Sequence, residues 1–282
     1  MKGTNLRLRT IVSGIAVASA VTLSACGGAS DADSVAAGCK PAHTFSTVTK
    51  GKLTVAGYDL PPYGTLANGK LSGVDADIIS EIAAMECLTI EPKWMAPAAV
   101  IPTVQSNRAD VGVPDWYRTA ERAKVVSLSD PMYLDQMAIS SKTGISKISD
   151  LKGKNVGTVD GYLWVADLKK YLGDSLKIYP STVNLNQDMK SGRIDIAVDS
   201  YGSQKVTNPS MKIMVAEPDP AVLASQEAAQ AGFPVPQSNA DLLKAINEDL
   251  KKLKDSGKLK EILVKNGLDA SAADTGEARL LK

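Results

Sequence analysis

A pattern that occurs twice limits what this chain can fold into. Gly51-Lys52 precedes a short apolar run, Leu53 to Ala56, and later a helical segment exits through Ser106-Asn107-Arg108-Ala109-Asp110 into a second apolar run. Further along, Gly153-Lys154 precedes Asn155 to Val159, and Ser191-Gly192-Arg193-Ile194-Asp195 again leads from a helical segment into an apolar strand. Either echo alone is cheap, because Gly-Lys and Arg-x-Asp arise readily by chance. Two echoes in the same order point to two lobes built alike, each alternating strand and helix, which is the grammar of layered α/β folds.

Hydrophobic spacing fills in the elements. Val74, Ile78, Ile79, Ile82 and Met85 follow a helical period. Pro61-Pro62 forces an irregular loop, Asn68-Gly69 is a hairpin-type turn, and Leu88 to Trp94 reads as a strand with Trp94 in the core. Val100, Ile101 and Val104 suggest a helix with Pro102 near its first turn. Ala109 to Val113 is a short buried strand, and an extended run follows Asp130-Pro131 through Leu134 to Ser140. In the second half, a helix over Trp164 to Leu172, a strand over Leu176 to Tyr179 and a helix near Asn184 to Lys190 continue the alternation. Near the end, Leu242, Leu243, Ile246, Leu250 and Leu253 form one helical stripe, with Asn239 or Asp241 as its cap, and Gly257 breaks it. Leu259, Ile262 and Leu263 form a second stripe that Gly267 ends, and the polar tail carries no period.

The first residues have a different character. Lys2, Arg7 and Arg9 precede an apolar run from Ile11 to Leu23, the layout of a signal peptide and too short for a comfortable membrane span. It ends in Leu23-Ser24-Ala25-Cys26-Gly27, which resembles the bacterial lipobox and implies cleavage before Cys26 and lipidation of its thiol. Gly27 to Pro41, rich in Ala, Gly, Ser and Asp, reads as a flexible tether. Two cysteines then remain, Cys39 and Cys87, and in an oxidising compartment they are expected to form a disulfide; a buried free thiol at Cys87 is the alternative. A formal net charge of +1 favours no nucleic-acid partner, and the single histidine, His43, leaves no cluster with metal-ligand spacing and no Ser-His or Cys-His nucleophile.

Polar and aromatic residues gather just past the expected strand ends, where α/β sheets bind ligands. The four groups are Tyr58-Asp59, Asp115-Trp116-Tyr117, Asp160 with Tyr162 and Trp164, and Asp199-Ser200-Tyr201. They take two of the three tryptophans and four of the eight tyrosines, more than corners collect by being exposed. Facing one another across a crevice, these rings and carboxylates suit a cation, with each cation–π contact contributing about 0.5–2 kcal/mol. Arg122, a planar fork, suits a carboxylate. Together they indicate a small zwitterion or cationic, amino-acid-like ligand; an internal Arg122–Asp115 pair is the structural alternative.

In order along the chain stand GKLTV, PPY, NGKLSGVDADII, IPTVQSNRADV, RTAERAKVVSLSDPMY, DLKGKNVGTVDG, KSGRIDIAV and LLKAINEDLKKLKDSGKLKEIL, spanning Gly51 to Gly267. The set resembles family 3 of the bacterial extracellular solute-binding proteins, the ligand-binding components of amino-acid ABC importers. The resemblance implies a two-lobed periplasmic-binding-protein-like α/β fold, with the second lobe inserted in the first and two crossing strands joining them. The first crossing is expected near Met137 to Lys142, and the return between Glu217 and Pro236. The divisions are then residues 1–25 as signal peptide, 26–48 as lipidated tether, 49–139 with 228–270 as the first lobe, 140–227 as the second, and 271–282 as a C-terminal tail.

By the same resemblance, Thr119 and Arg122 hold the ligand's α-carboxylate. Leu60 replaces the aromatic that usually precedes Pro-Pro, and Pro114 to Tyr117 and Tyr162-Leu163-Trp164 replace small or hydroxyl residues. The acidic position that takes the α-ammonium falls on Ser200 by ungapped spacing and on Asp199 with a one-residue slip, which in a strand reverses the side chain's direction. The function implied is that of a lipid-anchored, monomeric substrate-binding component of an ABC importer. It would capture a small polar or cationic amino acid or related carboxylated amine by lobe closure and present it to a membrane permease. No catalytic residue, cofactor or metal is expected. The alternatives are an exported dehydratase-like enzyme on the same fold, with Asp115 or Asp160 as general acid, and a binding module that reports to a sensor partner.

Overall fold

The structure, a computed structural model, describes residues 35–282. The expected signal peptide, the lipidation site Cys26 and the first part of the tether lie outside the described residues.

The first lobe starts with β1 (Lys52–Gly57), whose residues Leu53 to Gly57 are all buried. A hairpin of β2 (Thr65–Ala67) and β3 (Lys70–Ser72) turns on Asn68 and Gly69, both at positive φ, and leads into α1 (Val74–Met85). Then come β4 (Thr89–Trp94), α2 (Pro97–Gln105) and the two-residue β5 (Val111–Gly112). The three strands form a parallel sheet in the order β4-β1-β5. A strand with parallel neighbours on both edges and covered faces must be apolar throughout, which explains the unbroken run Leu53 to Ala56. Pro102 lies inside α2, not in its first turn: Pro97 takes the N1 position, where a fixed φ and a missing N–H cost least. Trp94 is only half-buried, and its indole donates to Asp59.

Beyond the first sheet the chain forms α3 (Ala120–Ala123), β6 (Ser127–Leu128) and β7 (Tyr133–Asp135), and enters the second lobe. That lobe contains β8 (Met137–Ser141), β9 (Val156–Val159), α4 (Val165–Leu172), β10 (Leu176–Tyr179), α5 (Thr182–Lys190), β11 (Ile196–Ser200), α6 (Tyr201–Thr207) and β12 (Lys212–Val215). Its sheet order is β10-β9-β11-β8-β12, parallel through the first three and antiparallel on either side of β8. The chain returns through β13 (Ala229–Ala231) and β14 (Pro234–Val235) to α7 (Ala240–Asp255) and α8 (Lys258–Lys265). These last helices pack with α1 on the first lobe, and Asn239 is the cap of α7, accepting from Leu242 N.

The repeated Ser-x-Arg-x-Asp has one structural job in both lobes. Asp110 accepts Thr54 N at 2.7 Å and Val48 N at 2.8 Å, and Asp195 accepts Asn155 N at 3.1 Å, so each carboxylate ties down the start of the neighbouring parallel strand. Lys93 donates to Arg108 O and Lys177 to Arg193 O, a third echo that the spacing alone conceals.

The strands that pair where the lobes join are β7 and β13, antiparallel, with Leu134 opposite Gln230. The expected first crossing, Met137 to Lys142, is instead largely β8, a strand of the second sheet. All five of its residues are buried because β11 and β12 cover both its edges, so a boundary at residue 140 would cut through it.

Cys39 and Cys87 are joined as a disulfide. Next to it, the His43 ring faces Glu86 at 2.5 Å and Glu248 at 2.8 Å, and the His43 backbone N–H donates to Glu86. The bond to Glu86 raises the His43 pKa. With Asp249, which holds Lys252, these side chains knit the N-terminal lead-in onto the end of α1 and onto α7.

Candidate ligand-binding site

After β5 the chain turns through a cis Val113–Pro114 bond into Asp115, at φ 52°. A non-glycine residue in the left-handed region needs fixing from outside, and Asp75 at the start of α1 supplies it by accepting Asp115 N at 2.9 Å. The other Asp75 oxygen accepts the Tyr133 phenol at 2.5 Å. Buried completely, Asp75 has its pKa pushed up to about 7. For Asp115, burial first and then the nearby Asp135 and Asp75 carboxylates push the pKa well above the carboxylate range.

The corner then presents Trp116, Tyr117 and, one turn into α3, Arg122. Thr119 caps α3: its hydroxyl accepts Arg122 N at 3.1 Å. The guanidinium lies over the Trp116 ring at 4.6 Å and donates once, to Tyr117 O at 2.9 Å. It has no carboxylate partner, so the internal Arg122–Asp115 pair does not form. Burial draws its pKa down to about 10, which leaves it charged at neutral pH.

Asp135, on β7, sits where the lobes meet. It accepts the Tyr63 and Tyr117 phenols at 2.8 and 2.7 Å, and Gly202 N of the second lobe at 3.5 Å. Neither Asp75 nor Asp135 was singled out from the sequence. The signal was present: Asp75 shares the buried helical face with Ile78, Ile79 and Ile82, and Asp135 interrupts an apolar extended run. A carboxylate on an apolar face must be paired or neutral.

The second lobe brings Tyr162, Leu163, Trp164 and Ser200 to the same place. The Trp164 indole donates to Thr158 at 2.7 Å, and Tyr162 shares a hydrogen bond with Thr182 at 3.1 Å. Rings from the two lobes interlock, with Tyr58 to Tyr162 at 6.3 Å and Tyr117 to Trp164 at 6.1 Å between centroids. Between them the closed rings leave a cavity of ≈ 20 Å³, room for about one water molecule.

Of the residues expected at the site, Tyr58, Asp115, Trp116, Tyr117, Arg122, Tyr162, Trp164 and Ser200 line this space. Thr119 stands behind Arg122. Three aspartates face elsewhere. Asp59 accepts Leu66 N and the Trp94 indole, and exposed Asp160 accepts only its neighbour Gly161 N. Asp199 turns into the second lobe, where Ser200 N and Gln204 occupy its oxygens. Strand alternation thus gives the wall to Ser200 and the lobe interior to Asp199.

The chemistry of the cavity is that of a zwitterion trap. It offers a guanidinium with no anionic partner and, from the same corner, Asp115, whose Oδ1 is buried with no hydrogen-bond partner. Orphaned buried polar atoms are rare in folded proteins and mark an unmet partner. Aromatic faces fill the remainder.

The family model described as bacterial extracellular solute-binding proteins, family 3, matches residues 53–268. A probable histidine-binding protein of Neisseria gonorrhoeae is 25% identical, over 88% of this chain and 91% of its own. The arginine-binding extracellular protein ArtP of Bacillus subtilis is 25% identical, over 79% of this chain and 89% of its own. Among solved structures, an ancestral arginine-binding protein bound to arginine is 30% identical with a TM-score of 0.67, covering 77% of this chain and 99% of that one.

Proposed function

Because this chain belongs to the bacterial extracellular solute-binding proteins, family 3, we propose that it is the substrate-binding component of an ABC importer and closes its two lobes on a small polar or cationic amino acid or related carboxylated amine. The observation that carries this reading is the pairing, in one cavity, of a guanidinium with no carboxylate partner, Arg122, and a buried carboxyl whose Oδ1 has no hydrogen-bond partner, Asp115. Arg122 takes the ligand carboxylate as a fork, with Thr119 holding its helix turn. Asp115 takes the cationic pole on the first lobe, and Tyr162 and Trp164 close over it from the second. A ligand that touches both lobes binds the closed form better than the open one, and that difference drives closure.

Cys26 anchors the protein by lipid on the outer side of the membrane, a reading supported by the Leu-Ser-Ala-Cys run. Among the described residues no helix is long and apolar enough to cross a membrane. The partner is a permease in that membrane.

A thermal-shift and calorimetric screen of the mature protein against L-arginine, L-histidine, L-cystine, neutral amino acids and N-methylated amines tests the function. Micromolar affinity requires about −8 kcal/mol. The absence of any shift at millimolar concentration contradicts the reading, and turnover of a bound compound on long incubation favours the dehydratase-like alternative.

Affinity is expected to depend on pH. A cationic pole binds the ionised form of Asp115, yet burial holds that carboxyl protonated well above the usual range. Binding therefore expels a proton, and affinity rises with pH until Asp115 is ionised in the free protein. Titrations in buffers of different ionisation enthalpy measure this release; equal heats in all of them count against it.

Closure has its own test. A Cβ on Gly202 would stand 2.2 Å from the Tyr63 hydroxyl, across the lobe junction. Tyr63 is buried and bonded to Asp135, so it has little room to yield. Gly202→Ala is expected to hold the lobes apart and weaken binding by about tenfold or more, since overpacking costs about 1–3 kcal/mol. Small-angle scattering with titration reads both effects; an unchanged radius and affinity overturn the prediction.

A further inference from the structure

The family match ends at residue 268, and the tail beyond it, from 275 onward, contributes nothing to the cavity wall. Its polar composition suggests a loose end, yet the chain runs back to the binding corner. Leu281, 5% exposed, donates its N–H to Arg118 O at 2.9 Å and accepts Ala120 N at 2.9 Å, so it pairs alongside Thr119 like a strand. On the opposite edge the same corner pairs with β13: Arg118 N donates to Gln230 O and Gly232 N to Trp116 O.

One buried carboxamide joins the three segments. Gln230 donates to Thr275 O at 2.9 Å and Glu277 O at 2.7 Å, and accepts from the Arg118 guanidinium at 2.9 Å and Arg279 N at 2.8 Å. Every hydrogen-bonding valence of the amide is used, and three of the four bonds go to the tail. Arg118 also donates to Arg279 O, and the Arg279 guanidinium holds Glu227 and Ala228 O just before β13.

We propose that residues 275–282 form a strap that is a working part of the binding site, with Gln230 and Leu281 as its positioning residues. The strap sets the corner Arg118–Ala120 from which Thr119 and Arg122 act, and couples that corner to β13 at the lobe junction. The proposal rests on the reading of Thr119 and Arg122 as the carboxylate clamp. α3 has four residues, too short to hold its own geometry. Its first N–H groups have no partner within the helix, and the strap supplies one of the acceptors. Without the strap the corner must be ordered when ligand binds, and that cost comes out of the affinity.

Two variants test this: the chain ended after Asp274, and full-length Leu281→Pro, which removes the N–H given to Arg118 together with the buried leucine side chain and leaves the rest of the tail in place. Hydrogen exchange of the Ala120 and Arg122 amides is read in the absence of ligand, and L-arginine is titrated calorimetrically. Faster exchange at both amides is expected, with affinity for L-arginine about tenfold lower in the truncated chain. In a Thr119→Ala background the truncation should cost little more, because neighbours acting as a unit are not additive; a general loss of stability would add in full. Unchanged exchange, unchanged affinity or full additivity overturns the strap. If the intact protein does not bind L-arginine, that result bears on the ligand reading, and exchange in Leu281→Pro still decides the strap.

Discussion

Replacing Arg122 by alanine is expected to weaken ligand binding by at least about 30-fold, because removing one partner of a buried, hydrogen-bonded charge pair costs about 2–5 kcal/mol. The protein without ligand should respond in the opposite way. There the guanidinium is buried, lies over Trp116, and donates only to Tyr117 O, with no counter-ion. A buried charge of that kind lowers stability, so Arg122→Ala should melt at the same temperature as the parent or slightly higher, while its ligand-induced shift disappears. Arg122→Lys separates charge from shape: it keeps the charge and loses both the fork and the stacking, and is expected to fall between the two. Paired melting and titration curves measure all of this. An alanine variant that melts much lower and keeps its affinity would make Arg122 a structural residue.

The other large effect concerns stability alone. Cys39 and Cys87 are 48 residues apart in sequence, and their bond closes that loop. In the chain-entropy model a closed loop of this size contributes about 4 kcal/mol, which in a chain of this size corresponds to about 10 °C in melting temperature. The double variant Cys39→Ser/Cys87→Ser is therefore expected to lose about that much in urea unfolding. The His43–Glu86 contacts lie next to the bridge and should loosen with it. Neither cysteine lines the cavity, so affinity under native conditions should hold. A midpoint unchanged by the double substitution contradicts the account, as does a loss of affinity without a loss of stability.

Much of the architecture could be read directly from residue spacing. The doubled Gly-Lys and Ser-x-Arg-x-Asp segments stand where expected because each follows from a local need: a turn before a buried strand, and a carboxylate to tie down its neighbour. Thr119 and Arg122 were named together through the family resemblance, and the structure places them one turn apart, with Thr119 as the cap of α3. The crossing strand was misplaced by a few residues because β7 and β8 form one continuous extended run. Only the choice of partner, β13 for one and β11 with β12 for the other, divides that run into a lobe junction and a lobe core.

The unanticipated parts all depend on meetings between distant segments. Asp75 supports Asp115 from another helix, Asp135 collects phenols from positions 63 and 117, and Gln230 gathers a tail that carries no pattern of its own. Residue spacing was sufficient for two α/β lobes and the charge types at the strand ends, because those depend on period, residue type and near neighbours, whereas the disulfide was expected from the cysteine count and the oxidising compartment that the leader implies. Folding decided which side chain faces the cavity. Asp199 and Ser200 are adjacent, but a strand turns successive side chains to opposite faces, and only the packed position of β11 between β8 and β9 decides which of the two faces inward.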